Sequence, residues 1–272
     1  MTETIYAGKM PILALRGLAV FPDQTIHFDV GRVKSVQALD AAMKQNQTLF
    51  LIPQKDMLVD DPRLVDLYAV GTVAKVKQVL KTQGENLRVL VTGICRGKIA
   101  ELSQSEPYLS GIVESIPVPE AGDTLRAHAL RREAVSLYSQ YLQMSDHPAQ
   151  SVYLRMMSSE NTGFLADAIA QNSGIDFPDK AKLLCQLNPV RRLESAVRLL
   201  RQEVEMLRLE GDIQEKTRSA IDQHNRDYYL REQIKVIRKE LGEENDNDID
   251  VYREKILALN LNEEIEKKLL KD

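Results

Sequence analysis

The sequence has only two cysteines, Cys95 and Cys185. Two are too few for a disulfide framework, so a reducing compartment is the default. Long apolar runs are missing as well. The longest are about the size of Leu49-Phe50-Leu51-Ile52, whereas a membrane span needs roughly 20 such residues. The N-terminus, Met1 to Tyr6, carries an acid and no basic cluster ahead of an apolar run, so it is not a secretory signal. A soluble, cytoplasmic chain is expected. Excess charge is absent too. Lys and Arg number 36 and Asp and Glu 40, a formal charge of −4. That balance speaks against non-specific nucleic-acid binding by the whole chain, which needs a concentrated basic field. Aromatics make up 5%, and tryptophan is absent.

The motifs of several enzyme classes are also missing. Gly-Lys occurs at Gly8-Lys9 and Gly97-Lys98, but neither has a glycine five residues upstream or Ser/Thr following. A Walker A loop is therefore excluded. No G-x-S-x-G nucleophile elbow appears. His27, His128, His147 and His224 are scattered, with no H-E-x-x-H pair, and neither cysteine has a C-x-x-C partner. No zinc site is expected, and Cys95 and Cys185 read as small buried hydrophobes. Asp60-Asp61 and Glu243-Glu244 lie in turn or linker sequence and read as solvated surface. Arg131-Arg132 and Arg191-Arg192 are dibasic steps on helices, which would allow local, weak DNA contact and nothing more.

What is present falls into two halves. Length alone, 272 residues, suggests just under two domains. Strand-like runs occur at Met10–Leu15, Gln24–Val30, Thr48–Ile52 and Tyr108–Ile116. Val70–Leu80 and Leu87–Ile94 read as a long hairpin turning through Gly84. Val33, Val36, Leu39 and Met43 mark one face of a short helix. Several short strands with one helix predict a compact, barrel-like α+β domain rather than a parallel sheet.

Ile116 to Gly122, with two prolines and a glycine, forms a boundary after which the period changes from two to about 3.6. Asp123 is placed to cap a helix to about Met144, with Leu130, Ala134, Leu137, Tyr138 and Tyr141 on one face. Asp146-His147-Pro148 breaks it, and short helices are expected around Val152–Met157, Phe164–Gln171 and Asp179–Leu187.

Asn188-Pro189 then opens a segment with no further proline before Leu241. Residues 191–244 hold twelve acids and twelve bases. The acid-to-base pairs Glu194–Arg198, Asp212–Lys216, Asp222–Arg226 and Asp227–Arg231 suit an exposed helix. About 50 helical residues would span about 75 Å, so part of the helix should project. Leu193, Val197, Leu200, Val204 and Leu207 form one seam, and Leu230, Ile234, Ile237 and Leu241 a second, out of register by two. The first is expected to pack on the preceding helices and the second to await a partner. Gly242 to Asp248 would end the helix as an acidic linker, followed by helical patterns near Asp250–Leu259 and Glu263–Leu270. The chain stops at Lys271-Asp272 in mid-pattern, as if a longer protein continued.

Two apolar features are candidates for gripping unfolded polypeptide. Leu18, Ala19, Val20, Phe21 and Pro22 form an apolar loop, and Met144, Met156 and Met157 cluster around Pro148. Core filling is the commoner fate of both.

Several of these stretches carry a family resemblance. Pro11 to Pro22, Val30-Gly31-Arg32 with Ser35, Asp66 to Ala74 and Arg88 to Gly93 are similar in order to the opening of the ATP-dependent Lon proteases. Tyr228-Tyr229-Leu230-Arg231-Glu232-Gln233-Ile234-Lys235 resembles that family's signature just upstream of its ATPase module. Ala14, where the family usually has proline, Thr25–Asp29 and Ile94–Gly97 depart from its pattern.

The resemblance implies an α+β chain. Residues 1–117 would be a small β-barrel-like, PUA-like domain. Residues 118–242 would be an all-α bundle with one very long projecting helix at about 189–241. Residues 243–272 would lead to an absent ATPase module. It also implies a non-catalytic fragment that binds unfolded or damaged proteins and supports a homohexamer, through Tyr228, Tyr229 and the two seams. No nucleotide or catalytic residue of the family has a counterpart here, so ATP and Mg would belong to the parent's other modules, as would its Ser-Lys dyad. A stand-alone coiled-coil scaffold and a nucleic-acid-binding PUA-like module are the alternatives.

Overall fold

The computed structural model of the chain describes residues 7–81, 86–119, 122, 124–145, 150–241 and 255. Six strands come first: β1 (Ala7–Leu15), β2 (Thr25–Val30), β3 (Thr48–Pro53), β4 (Gly71–Lys81), β5 (Leu87–Gln104) and β6 (Ser110–Ser115). One helix, α1 (Val33–Lys44), lies between β2 and β3. The sheet order is β2-β5-β4-β3-β1-β6, and β5 also pairs with β6. That extra pairing closes β1, β3, β4, β5 and β6 into a barrel, with β2 added along the first half of β5. All pairings are antiparallel except β1 with β3, which the β2–α1 crossover makes parallel.

The hairpin expected at Val70–Ile94 is present, but its second strand runs ten residues further, to Gln104. Register shifts at Ile99/Glu101 and Leu102/Gln104 show where β5 bends to follow β6. The turn residues 82–85, with Gly84, lie outside the described residues. Side-chain alternation along β1 divides its apolar residues between two cores. Leu13 and Leu15 face α1, β2 and the outer hairpin; Met10, Ile12 and Ala14 face the barrel interior with Phe50 and Val73.

α1 buries only part of the stripe its large residues predict. Ser35, Ala38, Leu39 and Ala42 are buried, while Val33 is 72% exposed and Met43 is exposed. Small residues at i, i+3 and i+7 let the helix lie close to β1 and β3, and of the expected stripe Leu39 is buried and Val36 half-buried against the same core.

The helical part comprises α2 (Leu125–Met144), α3 (Gln150–Ser158), α4 (Thr162–Asn172), α5 (Phe177–Cys185) and α6 (Pro189–Glu240). The cap of α2 is Thr124, whose Oγ1 accepts from the Ala127 N–H at 3.2 Å; the expected cap, Asp123, is outside the described residues, as are 146–149 and 242–254. Asn188 caps α6 as its sequence suggests, its Oδ1 accepting from Val190 and Arg191 N–H at 3.1 and 3.0 Å. α4 is buried nearly all round and forms the centre of the bundle. Leu193, Val197, Leu200 and Val204 of α6 are buried in the same core, with Leu207 packed at its margin.

The chain divides into two compact units, Met1–Leu209 and Glu210–Asp272. The first holds the barrel, α1 to α5 and the first part of α6. In the second, every described residue of α6 is exposed. Glu194 pairs with Arg126 of α2 at 2.5 Å, and Glu205–Arg208 and Glu232–Lys235 pair at i,i+3 spacing. No described helix is long and apolar enough to cross a membrane.

Gly71, the first residue of β4, has no room for a side chain. A Cβ there would meet Leu51 O at 2.5 Å and Phe50 Cζ at 2.6 Å. Gly71→Ala is therefore expected to destabilise the barrel by about 1–3 kcal/mol, read as a lower urea midpoint.

Candidate functional site

The residues singled out in the sequence divide sharply by burial. Ala19, Val20 and Phe21 are buried and Leu18 is half-buried. The loop that carries them is pinned into the fold. The Val20 carbonyl accepts from Thr72 Oγ1 at 2.6 Å, and the Phe21 N–H donates to Gln171 Oε1 at 3.3 Å. Val20 belongs to the α1-side core and Phe21 to the bundle core. Neither presents a surface to a client, and Met156 is likewise fully buried. Met144 and Met157 are exposed. Tyr228, Tyr229, Leu230, Ile234, Ile237 and Leu241 are all exposed in the second unit.

The Arg191-Arg192 step is not a basic surface. Arg192 turns inward, and its Nε lies 3.0 Å from Asp167 Oδ1 of α4. The same carboxylate takes both ends of the Arg96 guanidinium from β5, at 2.9 and 2.7 Å. Arg96 Nε donates to Leu184 O at 2.9 Å and Arg192 Nη1 to Gln186 O at 2.6 Å, both at the end of α5. All three charged side chains are at least 95% buried. The Arg192 guanidinium is pushed down to about 10, by burial above all, with Asp167 opposing and Arg96 adding to the fall. Arg96 also lies over the Phe21 ring, 6.0 Å from its centroid. This buried cluster joins barrel to bundle and lines neither of the two clefts described below.

The first unit exposes apolar side chains at several places, Val33, Leu125 and Leu154 among them, and four fall within one segment, the loop joining β3 to β4 (residues 54–70). Leu58 is 88% exposed and Val65 72%, with Met57 and Leu64 exposed beside them. Met57-Leu58 lie in a turn and Leu64-Val65 in a single 3-10 turn, Leu64–Asp66, so no period marks them in the sequence. Their pairing as Met57-Leu58 and Leu64-Val65 within a turn-rich stretch is the signal that could have found them.

Ion pairs tie this loop down. Arg16 pairs with Asp60 at 2.6 Å; Lys34, at the start of α1, pairs with Asp61 at 2.8 Å and with Glu106 at 2.6 Å. Hydrogen bonds to Asp61 and Glu106 raise the Lys34 ammonium above its ordinary pKa, and the Arg16 hydrogen bond lowers the Asp60 carboxyl. Asp60-Asp61 is thus solvated surface, as its sequence suggests, with both carboxylates ion-paired. Two clefts lie nearby, the second of them lined by Asp60 and Asp61. One, of about 340 Å³, is lined by Leu13, Leu15, Phe28 and Val30; the other, of about 400 Å³, by Ile12, Ala14, Val33, Pro62 and Leu109. Arg32 borders both. The arrangement offers apolar shelves, paired charges and backbone, the means of holding a polypeptide by weak contacts.

Removing the shared carboxylate should release the whole arrangement. Asp167→Ala leaves two buried guanidiniums unpaired and is expected to cost ~3–5 kcal/mol in chemical denaturation. Tyr138, whose buried hydroxyl has no hydrogen-bond partner among the described residues, provides the contrast: Tyr138→Phe is expected to leave the same midpoint unchanged or raise it.

Residues 9–202 match the family model described as the ATP-dependent protease La (LON) substrate-binding domain. The chain is 36% identical over 266 residues to a Lon protease of Heliobacterium modesticaldum, covering 97% of this chain and 33% of that protein. It is 33% identical over 266 residues to Lon protease 1 of Bacillus subtilis, covering 97% of this chain and 34% of that one. The chain thus spans about a third of the length of these curated relatives. Among solved structures, the N-terminal domain of the Mycobacterium avium complex Lon protease superposes with a TM-score of 0.58 at 24% identity, over 71% of this chain and 98% of that one. The Lon N-terminal domain protein from Xanthomonas campestris does so at 0.51 and 16%, over 70% and 98%. Both likenesses are of fold. By the extent of the family match, this chain belongs to the Lon substrate-binding domain family.

Proposed function

We propose that this chain is the client-capturing front of a longer, ATP-dependent cytoplasmic protease, and that it binds unfolded or damaged segments of protein substrates. The observation that carries this reading is the β3–β4 loop. It leaves four large apolar side chains, Met57, Leu58, Leu64 and Val65, in water on one short segment held by ion pairs. Exposed apolar groups gathered on an anchored loop suit partners that themselves expose apolar side chains. Each contact is weak, and the gain comes from presenting several copies at once. In the longer protein, ATPase and protease modules would use ATP with magnesium and receive what this region captures. Residues 1–117 would act as the barrel module, 118–242 as the helical module and 243–272 as the lead into the ATPase.

Assembly is assigned to the second half of α6. Tyr228, Tyr229, Leu230, Ile234, Ile237 and Leu241 are all about half to two-thirds exposed. A stripe of that size on a charged helix supports self-association toward a homohexamer, while the first seam serves the chain's own core.

Two experiments test these roles. Replacing Met57, Leu58 and Val65 together by Ser is expected to weaken capture of a chemically denatured, fluorescently labelled model protein at least five-fold, with photo-crosslinks concentrated on residues 57–65. Crosslinks confined to other surfaces reject the loop. Sedimentation of the whole chain is expected to show concentration-dependent assembly that Leu230→Glu with Ile237→Glu abolishes; a wild-type chain monomeric throughout, or assembly indifferent to both changes, refutes that role of α6.

A further inference from the structure

Where β6 stops, β1 continues. β6 pairs with β1 from Ala7 to Pro11, Pro11 lying opposite Ser110. The Ile12 N–H still reaches Leu109 O at 2.8 Å. Continued in the same register, Ala14 would face Pro107, and proline has no N–H to give. On the opposite side, Leu15 O accepts from the Gln54 N–H at 2.8 Å, beside the parallel pairing with β3. Backbone groups alternate between the two edges of a strand. Ala14, two residues beyond Ile12, therefore turns its N–H and C=O toward the side that β6 has left. A side chain meets the carbonyl there: the Arg32 guanidinium donates to Ala14 O. Longer contacts to Gln54 Oε1 at 3.4 Å and Asp60 O at 3.3 Å hold Arg32 in place.

The two clefts lie on the two faces of this strand end. One is lined by Leu13, Ala14 and Leu15, the other by Ile12 and Ala14, so Ala14 borders both. Successive side chains of a strand point to opposite faces, so a strand added beside Ala14 would direct alternate side chains toward alternate clefts. Open edges are usually blunted in native proteins, and here Arg32 does it with a removable group. Burial, with Arg16 nearby, lowers the pKa of that guanidinium, so leaving for water relieves it.

We propose that the β1 edge at Ala14 is a strand-addition site for an extended segment of unfolded polypeptide, which displaces Arg32 from the Ala14 carbonyl and places alternate apolar side chains in the two clefts. The proposal rests on the reading that this chain binds unfolded proteins and adds how. Backbone hydrogen bonds are the same for every sequence, so the edge supplies affinity without choosing a client, and the clefts supply a preference for alternating apolar residues. Occupancy would also pull Arg32 away from the Asp60 carbonyl, coupling the edge to the β3–β4 loop.

The test uses the whole chain and a fluorescein-labelled twelve-residue peptide of alternating Leu and Ser between terminal lysines. Ala14 amide exchange is expected to slow at least ten-fold on saturation. Single backbone N-methylations should cost ten-fold in affinity at inward-facing positions of the peptide and little at their neighbours. Ala14→Pro removes the N–H at an edge position that tolerates proline and is expected to weaken binding at least five-fold; if it unfolds, the N-methyl series decides alone. A peptide that binds with unchanged Ala14 exchange, or whose N-methyl variants all bind alike, overturns strand addition and leaves apolar capture standing. A peptide that fails to bind where denatured protein still binds overturns it too. Failure of both to bind removes the underlying reading.

Discussion

Two guanidiniums buried from water, Arg96 on β5 and Arg192 on α6, converge on the carboxylate of Asp167 in α4. Desolvating three charges is expensive, and their mutual attraction offsets it only with good geometry and further hydrogen bonds. Both conditions hold: Arg96 is bidentate on Asp167, and the carbonyls of Leu184 and Gln186 take donors the carboxylate cannot. A planar fork is satisfied in few orientations, so the cluster narrows the relative positions open to β5, α4, the end of α5 and the start of α6, even with Arg192 Nε close to Asp167 but without a well-aligned hydrogen bond. Apolar packing alone would tolerate a slide; this cluster does not.

The loop from Arg16 to Gln24 depends on the same arrangement. Phe21 enters the bundle core beneath Arg96, and Gln171 and Asn172, one turn beyond Asp167 on α4, hold Phe21 and Gln24 from the other side. Fixing that loop fixes the end of β1, which in turn places Ala14 and Arg16 beside the β3–β4 loop. The exposed apolar side chains are therefore tethered to a rigid base.

How much of this the sequence discloses follows from which interactions are local. The loose alternation along β1, the short apolar run of β3, the Asn188-Pro189 cap and the 4-3 spacing from Leu193 to Leu207 are local patterns, and each appears where its pattern places it. On α1 the apolar period finds Val36 and Leu39 but misses Ser35, Ala38 and Ala42, because periodicity weighs large residues and these are buried for being small. For Val20 and Phe21 core filling is the commoner expectation, but the sequence does not show which core: Val20 joins the α1-side core, and Phe21 lies against Gln171 and Arg96. The Arg96–Asp167 pair spans 71 residues, and in sequence a buried charge looks like any surface one. The clefts are invisible for the same reason, being bounded by β1, α1 and two loops. The family resemblance reached what residue patterns could not, because motifs in order identify a fold without explaining its contacts.

The pairing of β1 with β6 has a further consequence in the order of synthesis. β1 is the first strand made, yet the strand that closes the barrel beside it, β6, follows about 100 residues later. At the pace of translation that interval is ~5–20 s. Throughout it the β1 edge is open along its whole length, on a chain emerging near others like itself. The nascent barrel is thus transiently the kind of extended, unpaired polypeptide that its finished form is suited to hold.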